Sequence, residues 1–255
     1  MSQALFPPSG RSEFLGSVQK GLLLGAALLA VLLPPATGIR QPAPTTPQAI
    51  TRMAAPAAPP RLADFGDFKP TEDVRQLANW TVHVGDHQGK SFVIIDKKDA
   101  RVYVFGQDGR LKSAAPVLLG SAIGDDNAPG IGQKAIADVL PEEKTTPTGR
   151  YEAQMGMNTR GEDVVWVDYD AAVSMHRVLT TNPAERRLER LATPDVADNR
   201  ISYGCINVPR DFYEQVLAAT VKATGAIIYV LPETRGAQQV FGSWDVERGT
   251  RLAQR

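Results

Sequence analysis

The chain has 255 residues, and its 28 lysines and arginines balance 28 aspartates and glutamates. It lacks the basic excess of a polyanion binder, which excludes nucleic acid as an expected partner. At 43% hydrophobic and 22% charged residues it reads as globular and long enough for one well-buried core, while one cysteine and three scattered histidines (His83, His87, His176) cannot close a structural zinc site.

Arg11 and Lys20 precede an uncharged apolar run, Gly21–Leu33, followed by Pro34-Pro35-Ala36-Thr37-Gly38. The run falls short of the roughly 20 residues that span a bilayer as a helix. A positive start, a short apolar core and small residues behind it predict an export signal or signal anchor over residues 1–38. Any membrane contact is then expected through this segment alone. Residues 39–70 are rich in proline, alanine and threonine and predict a linker too poor in large apolar groups to fold.

A lead-in segment, 71–89, starts with a short helix from Thr71 to Ala78, with Thr71 as its cap. Trp80-Thr81-Val82-His83-Val84 alternates and reads as a strand. Ser91–Ile95 and Arg101–Phe105, rich in β-branched and aromatic residues, predict a hairpin across the polar stretch 96–100. Gln107-Asp108-Gly109 supplies a turn. Ala115–Leu119 predicts the next strand, and 120–149 a long functional loop. Strands follow over Arg150–Ala153, Asp163–Tyr169 and Ala171–His176. Asn182-Pro183 opens a surface helix running to Leu191 and carrying Arg186, Arg187 and Arg190. These arginines read as a solvated face or as a contact to anionic groups. Pro209 opens a second helix, to about Thr224, with Phe212, Val216, Ala219 and Thr220 on one face. Ala226–Leu231 predicts a core strand, and 233–255 a tail that Phe241 and Trp244 dock. The fold class expected is mainly β, a sandwich or barrel with a few short helices.

Cys205 stands in Ile201-Ser202-Tyr203-Gly204-Cys205-Ile206-Asn207-Val208-Pro209. Exported proteins usually pair their cysteines, so a lone one is a buried hydrophobe, half of an intermolecular bridge or a reactive thiol. A free thiol, with a pKa of about 8.5, needs a base or positive neighbour to form thiolate at neutral pH. Each of the three histidines is a candidate base; His176 ends a strand-like run, a rigid place for a side chain. Gly204 admits close approach of a carbonyl, and the Gly204 and Cys205 N–H groups are candidates for oxyanion support. The helix at Pro209 is expected to lower the thiol pKa modestly.

Ser202-Tyr203-Gly204-Cys205-Ile206-Asn207, with His176 upstream, resembles the signature of the L,D-transpeptidases, or YkuD-like catalytic domain: a histidine, a spacer, then Ser/Thr-His-Gly-Cys-hydrophobic-Asn. Thr146-Pro147-Thr148-Gly149 is similar to the family's Thr-Pro-x-Gly element, and the resemblance covers roughly residues 90–232. It implies Cys205 as nucleophile, His176 as base oriented by a backbone carbonyl, and Ser202, Tyr203 and Asn207 as supporting residues of the site. Tyr203 departs from the family's histidine, and the interval from His176 to Cys205 is longer than usual.

The activity implied is acyl transfer on peptidoglycan. Cys205 attacks the carbonyl between an L-centre and the terminal D-alanine of a tetrapeptide stem. An amine from a second stem, a protein or a D-amino acid then opens the thioester. Water as acceptor makes the enzyme an L,D-carboxypeptidase, and a weakened site leaves a wall-binding scaffold. The resemblance implies no metal or organic cofactor, stem peptides as partners, a role in cell-wall biogenesis and cell shape, and a periplasmic or other extracytoplasmic location.

Overall fold

A computed structural model of the chain describes residues 59–253. The expected export signal and residues 39–58 of the linker lie outside the described residues, among which no helix is long and apolar enough to cross a membrane.

Among the described residues, eleven strands form three sheets. β1 (Ser91–Asp96), β2 (Arg101–Phe105), β3 (Leu111–Pro116), β5 (Gly149–Glu152) and β11 (Ala226–Val230) make a five-stranded sheet in the order β3-β2-β1-β11-β5. β6 (Gln154–Met157), β7 (Asp163–Asp168), β8 (Val173–Arg177) and β10 (Ile206–Val208) make a second, in the order β10-β8-β7-β6. β4 (Leu119–Gly120) and β9 (Arg200–Ser202) pair in parallel as a two-stranded third. The fold is therefore mainly β, as expected, with its helices short.

Side-chain alternation explains how the two larger sheets meet. On β1, Val93 and Ile95 face one side while Phe92 and Ile94 face the other. The first pair joins Val102, Val104, Ile228 and Val230 against Val165, Val173, Met175, Ile206 and Val208 of the second sheet, forming one apolar core. The second pair joins Tyr103, Phe105, Ile227 and Tyr229 in a core on the sheet's outer face, where Phe92 stacks on Phe105 with ring centroids 4.4 Å apart. Both faces of the sheet are covered, which is why its central strands read as unbroken apolar runs.

The outer core is closed by segments that the sequence placed differently. Trp80–Val84 is helix, not strand: α1 runs Glu72–Val84, with Thr71 Oγ1 accepting from the Val74 N–H and Gly85 ending it at φ +73°. Its buried Val74, Leu77, Ala78 and Thr81 recur at helical spacing, and their contact with the sheet overrides the β propensity of Trp-Thr-Val. The last residues of the expected linker are also docked. Ala63 and Phe65 pack on this core, and Phe65 meets Phe105 edge-on at 5.4 Å. The C-terminal segment holds α5 (Ala237–Phe241) and α6 (Val246–Ala253). Phe241 meets Tyr229 edge-on at 5.8 Å and Trp244 meets Trp80 at 6.1 Å.

Three further expectations change. The strand Ala115–Leu119 is divided: β3 ends at Pro116, and the chain crosses to β4 through Val117 and Leu118. The helix from Asn182 breaks at Arg186, in the left-handed region at φ +49°, so that a 3-10 turn over Pro183–Glu185 precedes α2 (Arg187–Ala192). The helix after Pro209 begins as α3 (Arg210–Phe212), widens into a π-turn over Tyr213–Leu217 and finishes as α4 (Ala218–Thr224). The extra residue in that turn rotates the buried face to Phe212, Tyr213, Leu217, Ala218, Thr220 and Val221, so Phe212 and Thr220 are buried as expected, Val216 is half-buried and Ala219 is exposed.

Candidate active site

β8 carries two polar residues at period two, Ser174 and His176, while Val173 and Met175 point into the core. β10 lies parallel to β8 with Asn207 opposite His176, so the turn leading into β10 brings Cys205 alongside. Ser174 Oγ is 3.9 Å from Cys205 Sγ, and the Ala172 carbonyl is 3.6 Å from it. Of the three histidines, the structure brings only His176 to the thiol. His83 lies exposed at the end of α1, and His87 is buried between the carbonyls of Thr81 and Gln107.

His176 Nδ1 lies 2.8 Å from the Arg177 carbonyl oxygen. That carbonyl can only accept, so Nδ1 carries the proton and Nε2 is left for the thiol. Burial pushes the imidazole pKa down, but the hydrogen bond and charge of Cys205, with the Arg177 carbonyl, outweigh it and raise the pKa. Burial pushes the Cys205 thiol up; the hydrogen bond and charge of His176, with Ser174, bring it below its ordinary value. Both shifts favour proton transfer from sulfur to imidazole.

The turn itself is held from three sides. Ser202 Oγ donates to the Cys205 carbonyl at 2.6 Å, and Asn207 Nδ2 donates to the same oxygen at 3.3 Å. Behind the turn, fully buried Thr146 donates through Oγ1 to the Gly204 carbonyl at 2.9 Å and accepts from the Gly120 N–H at 2.9 Å. Gly204 has φ +125°, and a Cβ there would sit 2.7 Å from the Thr145 carbonyl oxygen, so both conformation and space require glycine.

Two expectations about the turn are corrected. The Gly204 N–H donates to Ser202 Oγ at 3.1 Å, so it is already engaged; of the two groups expected to support an oxyanion, the Cys205 N–H is the one without an acceptor among the described residues. The helix opened by Pro209 does not reach the thiol. The three residues of β10 intervene, about 10 Å of strand, and the effect of a helix end falls off within about one turn. Tyr203 points outward, 47% exposed, with Lys144 Nζ 4.1 Å from its ring centroid. It is at the rim of the turn, away from the thiol–imidazole contact.

Cys205, His176 and Ser174 line a cleft of about 550 Å³. The rest of its lining is mixed: Trp166, beside Ser174 in the β7–β8 register, with Tyr169 edge-on at 5.1 Å, Ile136 and Gln133 from the 120–149 loop, and the polar Asn158, Thr159 and Arg160. Trp166 lies over Gly156, where a Cβ would fall 2.5 Å from the indole nitrogen. No group of three or more histidine, cysteine or acidic side chains is placed to hold a metal ion among the described residues. Asp168 caps its own turn and bonds Asn127, and Asp195 caps a 3-10 turn, so neither orients His176.

Sequence reasoning missed a buried charge cluster behind the turn. Lys97 is 0% exposed and donates to the Gly124 carbonyl (2.6 Å), Asp125 Oδ1 (2.9 Å) and the Thr146 carbonyl (3.0 Å). Asp125 also accepts from Thr148, Thr234 and the N–H groups of Glu233, Thr234 and Arg235, while Glu233 pairs with Arg200. The cluster ties the 120–149 loop to the end of β1, to β9 and to the chain after β11. Through Thr146 it backs the cysteine turn. Its one sequence signal was a lysine directly after an apolar strand, which a polar hairpin turn explains equally well.

No protein-family model matches the chain, and no curated protein matches it in sequence. Solved structures do resemble it. An L,D-transpeptidase of Enterococcus faecium is 14% identical with a TM-score of 0.32, over 56% of this chain and 50% of that one. The helical cell shape determining protein Pgp2 of Campylobacter jejuni is 20% identical with a TM-score of 0.38, over 57% and 49%. An LD transpeptidase, LdtMt1, in complex with imipenem is 16% identical with a TM-score of 0.34, over 55% and 58%. The match thus spans about half the length of the Enterococcus and Campylobacter chains.

Proposed function

We propose that this protein is a cysteine-dependent acyltransferase of the L,D-transpeptidase kind, acting on peptidoglycan stem peptides outside the cytoplasm. The observation that carries the reading is the Cys205–His176 contact, with Nδ1 of the imidazole held by the Arg177 carbonyl and both pKa shifts favouring thiolate. The motif around Cys205 and the order of the other matching elements supply the substrate class.

In this mechanism Cys205 Sγ, its proton passed to His176 Nε2, attacks the carbonyl between the L-centre of the third stem residue and the terminal D-alanine. Negative charge on the carbonyl oxygen is met by the Cys205 N–H. His176 returns the proton to the departing D-alanine amine as the C–N bond breaks, leaving a thioester. An acceptor amine then attacks the thioester, loses a proton to His176, and expels the sulfur.

The test is mass spectrometry of a disaccharide-tetrapeptide incubated with the protein and a free D-amino acid, beside Cys205→Ala. Exchange of the terminal D-alanine, absent in the variant, is the expected result. Tripeptide as the only product assigns water as the acceptor and overturns the transferase reading. Unchanged substrate with folded protein removes the enzyme reading and leaves a wall-binding role, read as sacculus binding that survives in Cys205→Ala.

A further inference from the structure

The segment between β8 and β9 brings one arginine to the site from outside the motif. Its three arginines differ. Arg186 is 69% exposed and pairs with Glu189, and Arg190 bonds the carbonyls of Glu185 and Asp198. Arg187 has a side chain only 11% exposed. Its Nη1 donates to Asn207 Oδ1 at 2.7 Å, and Nε donates to Glu185 Oε2. The break at Arg186 makes this possible. A non-glycine residue in the left-handed region ends the 3-10 turn and starts α2, which turns Arg187 inward where a continuous helix would carry it past.

Asn207 is the residue that this grip reaches, and it serves the site twice. It sits opposite His176 in the β8–β10 register, and its Nδ2 donates to the Cys205 carbonyl. With Oδ1 held by Arg187, the amide cannot flip, and Nδ2 stays on Cys205. The backbone of Asn207 is fixed separately by a reciprocal pair of bonds to Leu118, so the arginine is not needed to hold the strand itself.

We propose that Arg187 is a positioning residue of the cysteine–histidine site, locking Asn207 so that the Cys205 turn and His176 keep their mutual geometry. The proposal rests on the reading of Cys205 and His176 as the reacting pair. Its charge acts in the same place. Arg187, paired to Glu185, opposes a proton on His176, while the other charged groups near the imidazole are Cys205 itself, Arg177, which is paired to Asp163 and Glu214, Glu162 and Arg210 beside a small hollow next to the ring, and Arg160 in the cleft. A positive charge beside the pair favours loss of a proton from it, so removing Arg187 moves its titration to higher pH.

The experiment is the rate of Cys205 alkylation by iodoacetamide against pH, in the wild-type protein, Arg187→Gln and Arg187→Lys, with thermal melting of each. Alkylation needs no peptide substrate, so it reads the site whether or not transpeptidation is the reaction. Arg187→Gln is expected to react on the order of 10-fold more slowly at neutral pH, with its rate–pH curve displaced to higher pH. Arg187→Lys, which keeps the charge and loses the planar fork, is expected to restore the position of the curve and only part of the rate. A wild-type rate and curve in Arg187→Gln overturns the proposal. So does a lowered melting temperature with the curve unmoved, which would make Arg187 a structural clasp only. Failure of D-alanine exchange with this pH shift present would instead remove the proposed function and leave the positioning role standing.

Discussion

Replacing Lys97 by Met removes the one ammonium that joins the 120–149 loop to the back of the cysteine turn. Met is close in length and apolar, so the change leaves little cavity; what it leaves is charge. Asp125 loses its buried cation, and two carbonyls, of Gly124 and Thr146, lose a donor. Asp125 keeps Thr148, Thr234, three backbone N–H groups and the half-exposed Arg235 guanidinium at 3.5 Å, and Glu233 keeps Arg200, so the loss is partial. Breaking a buried pair by removing one partner costs about 3–5 kcal/mol. With the remaining partners counted, the low end, about 3 kcal/mol, is expected, a drop in melting temperature of roughly 6–12 °C for a domain of this size. Lys98→Met is the control. Lys98 pairs with Asp73 at 2.9 Å, but both side chains are about half exposed, and the expected cost is below about 1 kcal/mol. The assay is urea denaturation followed by near-UV circular dichroism, with alkylation of Cys205 in the folded state as a second readout. A loss below about 1 kcal/mol for Lys97→Met, equal to the control, would refute the claim that this cluster holds the loop.

Two further outcomes follow from the same geometry. Burial alone would raise the Asp125 carboxyl, but hydrogen bonds from Thr234, Lys97, the Glu233 N–H and Thr148 outweigh it and hold the group well below the usual carboxylate range. A carboxyl depressed in the folded state adds stability above its unfolded pKa of about 3.9 and loses it as pH falls below about 5, so urea midpoints should decline through that window and decline less in Asp125→Asn. Gly204→Ala should disable alkylation and cost about 2 kcal/mol or more, because φ +125° and the Thr145 carbonyl both exclude a Cβ; wild-type reactivity in that variant would contradict the turn as described.

The parts of the fold legible in the sequence are those fixed by local pattern. The β1–β2 hairpin, β7 and β11 carry period-two or continuous apolar runs with clear boundaries, and the Cys205 motif identifies its own turn. What stayed hidden depends on distant contacts. Trp80–Val84 alternates like a strand, but only the apolar face of the five-stranded sheet decides that its buried residues recur at helical spacing. Arg187 looks like its neighbours Arg186 and Arg190 until the left-handed break turns it toward Asn207. Lys97 reads as one charge in a polar turn, and nothing near it in sequence announces Asp125 or Glu233. The engaged Gly204 N–H is a matter of one hydroxyl rotor, beyond what residue types convey.

The parallel pairing of β1 with β11 has a consequence for how the chain comes to its structure. Ser91 lies beside Ala226 and Ile95 beside Val230, so the centre of the main sheet joins segments separated by most of the folded region. A nascent or translocating chain holds the β1–β2 hairpin early, yet its inner edge has no neighbour until residues 226–230 emerge. The loop closed by that pairing is long, and its entropy must be met before the core forms, which makes folding slow and late. The strands that carry Cys205 and His176 share their core with that sheet, so a chain truncated before Ala226 leaves the edges of β1 and β5 unpaired and the core behind the site without Ile228 and Val230.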